Sequence, residues 1–469
     1  MKIKNFLILA SVFIALGMHS SCTKDDTKEF SPLSAPKVNV KKATHSAVEF
    51  EWSKVEGAVN YVYQILQEND LVAERVMAKT AFFATAEGLD PETSYILKLK
   101  AVGENSPEED SEWGSVEFKT LEIPTEIIFE DEVLESYILS QVPSIDVNKD
   151  KKIQFEEAAM LKELEIGFEY KEDATEDKCV KSLSGLEYFT SLERLNIKYH
   201  SVQDVSPIEG ISTLTFLNIG ENPVSEINLS KLSNLKDLRI YGTGISELDL
   251  SAVPLLEQFY AQRTAIEKID FSELKKLEGA YVNECTKLTE IIAVGLENLT
   301  RMDAVKCNIS SAKVSDCASL IELHLNSNKL TEISLKGLPK LMRLNLYDNQ
   351  IESIDLKNLP MLMWLFVFKN QLTTLDLSGN AVMMELSVSD NKLETLDLSA
   401  NPKLTSVEAE SMPLLKLINL KNGGYDEYAY YAIKEANPEL VKVIVDEGGE
   451  LEHVKNIFKG NTSVVVSVN

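Results

Sequence analysis

The side chains in this sequence best suited to chemistry are oxygen donors. Asp146, Asn148, Asp150, Gln154 and Glu157 hold positions one, three, five, nine and twelve of a single run, with the branched apolar Ile153 at position eight. Ca2+ takes roughly six to eight oxygens at about 2.3–2.6 Å, and this spacing lets one loop wrap the ion. Position six is Lys151, where such a loop needs a left-handed turn that costs a residue bearing a Cβ about 1 kcal/mol. An acidic helix-turn-helix that binds no metal is the competing reading of the same residues.

Other chemistry finds little to use. The histidines, at 19, 45, 200, 324 and 453, lie too far apart for a zinc-hydrolase pair. The cysteines, at 22, 179, 285, 307 and 317, are too few and too irregular for a disulfide framework. No GxSxG elbow, phosphate loop or dinucleotide fingerprint occurs, and no carboxylate pair stands apart from the acidic background, so an enzyme is not expected. With 47 Lys and Arg against 74 Asp and Glu, a net charge of -27, the surface repels phosphate backbones and anionic headgroups. Nucleic acid is thereby excluded as a partner, as is polybasic attachment to membranes.

What positions side chains in the second half of the chain is a repeat. The pattern L-x-x-L-x-L-x-x-N-x-L opens at 192, 214, 235, 256, 277, 299, 320, 341, 362, 383 and 404, at intervals of 21 or 22 residues. We number these copies one to eleven. Each carries apolar residues at its first, fourth, sixth, eleventh, fourteenth and usually sixteenth positions, a set that one copy alone cannot bury and that stacked copies can. The clearest copy begins at Leu341 and continues through Leu344, Leu346, Asn349, Ile351, Ile354 and Leu356. The pattern resembles leucine-rich repeats of the short, internalin-like kind. That resemblance implies a curved solenoid with a parallel β-sheet along one face, whose members mostly bind proteins.

The ninth position holds Asn222, Thr243, Thr264, Cys285, Cys307, Asn328, Asn349, Asn370 and Asn391, all able to hydrogen-bond the turn backbone. Cys285 and Cys307 are read as reduced thiols standing in for asparagine, with a disulfide between them as the alternative. Positions two, three, five, seven and eight point outward and are read as free of structural duty. Down the stack they give Tyr241, Tyr260 and Tyr281, then His324, Arg343, Asn345, Tyr347, Trp364, Phe366, Phe368 and Lys369, beside Met342, Met363 and Met384. Tyr260, Tyr281, His324, Arg343, Tyr347, Trp364, Phe366 and Phe368 are the candidate ligand-binding residues. Aromatic side chains in water forfeit about 1.5–3 kcal/mol each, so this density points to an interaction surface. The competing reading is that the C-terminal segment folds over repeat nine and buries them.

The N-terminus reads as an address. Lys2 and Lys4 precede thirteen apolar residues, 6–18, and then His19, Ser20, Ser21 and Cys22. The segment is too short to span a bilayer and is read as a signal peptide. It resembles a bacterial lipoprotein signal, which implies acylation of Cys22 and anchoring at the outer membrane, and the acidic Asp25 and Asp26 imply exposure to the exterior. Membrane contact would then run only through the lipid. From 34 to 120 short alternating runs such as Val48-Phe50-Trp52 and Tyr61-Tyr63-Ile65 read as an all-β sandwich, with Tyr95 placed to hydrogen-bond the preceding backbone. This stretch resembles a fibronectin type III domain, most often a spacer.

The loop at 146–157 resembles an EF-hand or dockerin loop, which implies a Ca2+ site ligated by Asp146, Asn148, Asp150, Lys152 and Glu157. A helix is expected over 130–142, stopped by Pro143, and another from the loop to Leu164. Helical spacing over 425–437 and strand-like runs at 441–445 and 464–466 suggest a C-terminal cap.

The expected organisation is a signal peptide over 1–21, a tether over 22–33 and a sandwich over 34–121. A helical EF-hand-like segment over 127–167, the solenoid over 180–420 and a cap over 421–469 follow. The expected function is that of a monomeric cell-surface binding or adhesion protein presenting the concave face of the solenoid to a protein ligand, such as a host surface protein. Glycan binding through the aromatics and a passive spacer are the alternatives.

Overall fold

The computed structural model describes residues 32–104, 109–122, 126–141 and 143–469. Cys22 and the segment read as a signal peptide lie outside them. The chain forms two compact units, 1–123 and 124–469.

Among the described residues of the first unit seven strands form two antiparallel sheets: β1 Val38–Ala43, β2 Ala47–Trp52, β3 Asn60–Gln67, β4 Asp70–Ala78, β5 Phe83–Glu87, β6 Ser94–Val102 and β7 Gly114–Lys119. One sheet has the order β1-β2-β5 and the other β4-β3-β6-β7. Alternation sets the core, because every second residue of a strand faces the opposing sheet. Val48, Phe50 and Trp52 from β2 meet Tyr61, Tyr63 and Ile65 from β3 and Leu97, Leu99 and Ala101 from β6. The Tyr95 hydroxyl accepts the Asp90 N–H at 2.8 Å, five residues back, as the sequence led us to expect. That bond fixes the corner where the chain enters β6.

The second unit opens with α1, Glu132–Leu139, where Asp131 accepts the N–H groups of Val133 and Leu134. A second helix, α2, covers only Phe155–Ala158. The helical run expected to reach Leu164 is instead a strand, β8, Glu163–Glu165. Leu164 and Ile166 alternate with exposed residues, and β8 pairs in parallel with Arg194–Asn196 of repeat one. The first rung of the sheet therefore belongs to the segment before the repeats.

From β8 to Tyr430–Ala432 thirteen parallel strands form one sheet. Each strand spans positions three to five of its repeat, and the fourth positions stand in register, as Leu344 does against Leu323 and Leu365. Leu192, Leu195 and Ile197 of repeat one are fully buried, as are their counterparts along the stack. Shorter parallel sheets run along the opposite side at Lys268–Asp270, Glu290–Val294 and Ser311–Ser315, and again from Thr395–Asp397 to Val465–Ser467.

The ninth side chains tie one coil to the next. Asn349 donates to the Leu325 carbonyl of the preceding repeat and to its own Leu346 carbonyl, both at 3.0 Å, and accepts the Leu330 N–H at 3.0 Å. Asn222, Asn328, Asn370 and Asn391 repeat the arrangement. Cys285 and Cys307 donate their thiols to the corresponding carbonyls, Ala261 at 3.0 Å and Val282 at 3.2 Å. Cys179, Cys285, Cys307 and Cys317 are all buried free thiols. Burial also pushes the Cys317 thiol up from its ordinary value.

In repeat one the ninth residue is His200. It accepts the Val180 N–H through Nδ1 at 3.1 Å while Nε2 faces the Ile166 carbonyl at 3.0 Å. Nε2 must then carry the proton, and the ring is neutral. His200 thus performs the asparagine task toward the segment that precedes the repeats.

The eighth position is not free, contrary to the expectation above. Tyr199, Glu221, Arg263, Glu284, Lys306, Ser327, Asp348, Lys369, Asp390 and Ser411 all have φ between 54° and 63°, and Gly242 takes the same role at 67°. Each coil turns through a left-handed residue immediately before its ladder residue.

A second asparagine ladder lies at position nineteen of the last repeats. Asn380 donates to Leu356 and Leu359, Asn401 to Leu377 and Asn380, and Asn422 to Asn401.

The run 425–437 is not a helix. It holds the strand Tyr430–Ala432, in which Tyr431 pairs with Val407, while Asn437 accepts the Met412 N–H and donates to the Ala409 carbonyl. Tyr431 and Ile433 are buried two apart, a strand period, so this run is a further coil. The helix lies later, α3 Gly449–Ile457. Its Glu450 carboxylate is buried, accepts the Tyr431 hydroxyl at 2.9 Å and the Asp446 N–H at 2.8 Å, and is pushed up by burial.

Two outcomes test this architecture. Burial holds His200 below its ordinary 6.5. As pH falls through 6.5 the unfolded chain takes up a proton that the folded ring resists, so stability declines until the folded ring titrates as well. The His200→Asn variant should lose that part of the acid dependence in urea titrations repeated across pH. Lys306→Gly should gain about 0.5–1 kcal/mol by relieving a left-handed residue, whereas Asn370→Ala should lose about 2–4 kcal/mol, both read from urea midpoints.

Candidate functional site

The outward residues of the strands form columns at positions three, five and seven, and neighbouring members lie one strand spacing apart, about 4.8 Å. That is close to the stacking distance of flat groups, so planar side chains in successive repeats settle into stacks.

Over repeats one to five the stack alternates cations and rings. Arg194 lies 4.0 Å from the Phe216 ring, Arg239 lies 5.0 Å from Phe216 and 4.8 Å from Tyr260, and Tyr260 stacks on Tyr281 at 4.7 Å and 8°. Tyr260 and Tyr281, both candidates from the sequence, are half-buried within this stack. The sequence reading missed Arg194, Phe216 and Arg239, although the columns that yielded Tyr260 contain them. Tyr241 covers Gly220, where a Cβ would meet its ring at 2.6 Å.

Several charges of this half are paired. Asp237 holds Arg239 at 2.8 Å, raising the guanidinium above its ordinary range, and Glu221 pairs with Arg263. In repeats six and seven Arg301 bonds Asp303 at 3.0 Å and Glu322 at 2.6 Å. His324 lies beside them, half-buried, with Nε2 3.4 Å from Glu322 and 4.0 Å from Asp303. This candidate is therefore held within a charged band.

Repeats eight and nine bring the other candidates together. Arg343 lies 4.7 Å from the Trp364 ring and 5.9 Å from Phe366, and Tyr347 stacks on Phe368 at 4.4 Å and 11°. Trp364, Phe366, Phe368, Tyr347 and Arg343 are all half-buried, as are Met342, Met363 and Met384 beside them. The carbonyl-side oxygen of Asn345, between His324 and Phe366 in register, is buried without a hydrogen-bond partner. The C-terminal segment adds one further rung, Tyr430–Ala432, to the sheet beyond repeat eleven. Repeat nine keeps its aromatics half-exposed, so the expected alternative of complete burial does not hold.

The loop at 146–157 folds around its own side chains. The Asp146 carboxylate accepts the Lys151 N–H at 3.0 Å, Asn148 the Asp150 N–H at 2.8 Å, and Asp150 the Lys152 N–H at 2.9 Å. Glu157 closes the loop by accepting the Val147 N–H at 2.7 Å and the Gln154 N–H at 3.0 Å. Lys151 adopts φ 64°, the left-handed turn expected at position six, and Lys149 adopts 62°. The second Asp146 oxygen is buried without a partner. The Lys152 ammonium pairs with Glu126, so this residue has only its backbone carbonyl to offer a cation. Among the described residues, no three acidic, histidine or cysteine side chains converge as a metal cluster.

No protein-family model and no curated protein matches the sequence. Solved structures do resemble the chain. One is the functional domain of InlJ from Listeria monocytogenes, said to include a cysteine ladder: 21% identity, TM-score 0.51, covering 72% of this chain and 69% of that one. Another is an internalin, inlF, from Listeria monocytogenes, at 20% identity and TM-score 0.45, covering 72% of this chain and 95% of that one. No helix among the described residues is long and apolar enough to cross a membrane. The second unit is a leucine-rich-repeat solenoid of the fold that the InlJ domain also has.

Proposed function

We propose that this chain is a cell-surface binding protein that presents the concave sheet of its solenoid to a protein ligand. The observation that carries this reading is the half-exposed group of Trp364, Phe366, Phe368 and Tyr347 in adjacent repeats, on a sheet whose inward positions are fully buried. A rigid aromatic platform offers large contact area at low entropy cost, which is how binding hot spots are built. In this reading Cys22 carries the lipid that holds the protein at the outer membrane facing the exterior, and the sandwich is a fibronectin type III-like spacer. No catalytic role is assigned to any residue.

The same reading assigns Ca2+ to the loop at 146–157. It is supported by the partnerless Asp146 oxygen and by the left-handed turn at Lys151. When bound, the ion would stiffen the segment that supplies the first rung of the sheet, with Asp146, Asn148, Asp150, Glu157 and the Lys152 carbonyl as its ligands.

Substituting Trp364→Ala together with Phe366→Ala should abolish retention of protein partners from host-cell extracts while leaving the unfolding midpoint close to that of the parent. Retention unchanged by these substitutions would refute the site, and binding to a glycan array that depends on Trp364 would replace protein by carbohydrate. Calcium titration should release heat and raise the melting temperature through linkage, and Asp146→Asn should remove both effects. No heat at about millimolar ion would withdraw the metal from the loop.

A further inference from the structure

The two halves of the long parallel sheet differ in how their outward charges are satisfied. In repeats one to seven most outward carboxylates are paired, Asp237 with Arg239, Glu221 with Arg263, and Asp303 and Glu322 with Arg301, and only Glu278 and Glu284 of repeat five lack an ion-pair partner among the described residues. In repeats eight to eleven the outward positions carry Asp348, Glu385, Asp390, Glu408 and Glu410 against Arg343 and Lys369. None of these five carboxylates has an ion-pair partner among the described residues, and Arg343 is engaged by the rings of Trp364 and Phe366.

The unpaired acids adjoin the aromatics in register. Glu385 is the neighbour of Trp364 on the next rung, and Ser387 is the neighbour of Phe366. Ser387 donates its hydroxyl to Glu408 at 2.7 Å, holding that carboxylate on the rung beyond. An apolar platform thus ends in a fixed acidic border. Carboxylates one or two strand spacings apart repel one another, and a cation brought among them relieves that repulsion.

Resting on the reading of this face as a protein-binding surface, we propose that repeats eight to eleven dock a cationic, apolar polypeptide segment of the partner. Its aliphatic or aromatic side chains lie on Trp364 and Phe366, and its lysine or arginine heads meet Glu385 and Glu408. The chemistry argues against the other occupants. A second copy of the chain carries the same charge of -27 and would be repelled, and a neutral glycan leaves the acidic border uncompensated.

The experiment selects a displayed random-peptide library against the whole protein, then measures the enriched peptides against three variants. Glu385→Gln with Glu408→Gln removes the acidic border while keeping shape and the bond from Ser387. Glu332→Gln with Glu352→Gln removes the same charge from exposed positions outside the concave columns. Trp364→Ala removes the platform. Enriched peptides should pair lysine or arginine with apolar residues, bind about tenfold more weakly to the first variant and to Trp364→Ala, and weaken as salt rises. The control variant should bind like the parent, and melting temperatures should show all variants folded.

Equal loss in the border and control variants would reduce the effect to net charge and overturn the proposal. So would failure to enrich any peptide, or self-association through this face in sedimentation. Enrichment of neutral or acidic peptides that still require Trp364 would overturn the proposal yet leave the face as a protein-binding site, whereas binding that ignores Trp364 would remove both.

Discussion

A chain wound into flat coils must satisfy its peptide groups where each strand turns away from the sheet, because those groups face the interior and water does not reach them. The ninth side chain meets this constraint, and the rest of the solenoid depends on it. The asparagine amide reaches carbonyls of two successive coils at once, while its oxygen takes an N–H from the preceding turn. An unmade hydrogen bond at such a site costs about 1–3 kcal/mol, and a ladder repeats that stake at every coil. Threonine and cysteine supply only the donor, Thr243 toward Ile240 of its own coil and Cys307 toward Val282 of the preceding one. His200 serves where both an acceptor and a donor are needed at greater reach.

The same constraint explains the left-handed residue before each rung. Asp348 and Asn349 donate their N–H groups to Phe368 and Lys369 of the following repeat, and Lys369 and Asn370 donate in turn to Ser389 and Asp390. Holding both amides toward the next coil requires the backbone to reverse at position eight. About 1 kcal/mol of strain there is offset by two hydrogen bonds between coils. The turn is imposed by the stack and not by the residue that occupies it, which is why tyrosine, lysine, serine and aspartate all appear there.

That distinction marks what could be read from the sequence. The repeat, its inward positions and its asparagine ladder were legible because each requires particular side chains at a fixed period. Position eight was not legible, since ten of its eleven residues lack the glycine that would have signalled a left-handed turn. The coil over 425–437 was misread for a related reason. Its spacing from repeat eleven is longer than the period, so the buried pair Tyr431 and Ile433 and the ladder residue Asn437 fell out of phase. Leu164 was assigned to a helix because a single three-residue rung carries too little alternation to outweigh the helix signal before it. On the outward face of the long sheet, reading columns found the aromatics of repeats eight and nine. It missed Arg194, Phe216 and Arg239, since cations stacked on rings satisfy one another and look, residue by residue, like ordinary polar surface.

Carrying unpaired carboxylates beside a half-buried aromatic platform costs stability, and the architecture determines how much. In a globular core such a cost would be shared by every element packed around it. In a stack each coil touches only its neighbours, and stability is close to a sum of local terms. The repulsion among the acids of repeats eight to eleven is therefore borne by those coils alone, while in repeats six and seven Arg301 bridges Asp303 and Glu322 and so relieves their repulsion. Side chains at positions three, five and seven project on the side of the sheet away from the inward leucines, so their identity chiefly changes what the face attracts, although Asn283 and Ser389 also accept the Val305 and Glu410 N–H groups of the following coil. Recognition and folding are thereby written largely in different columns of the same repeat.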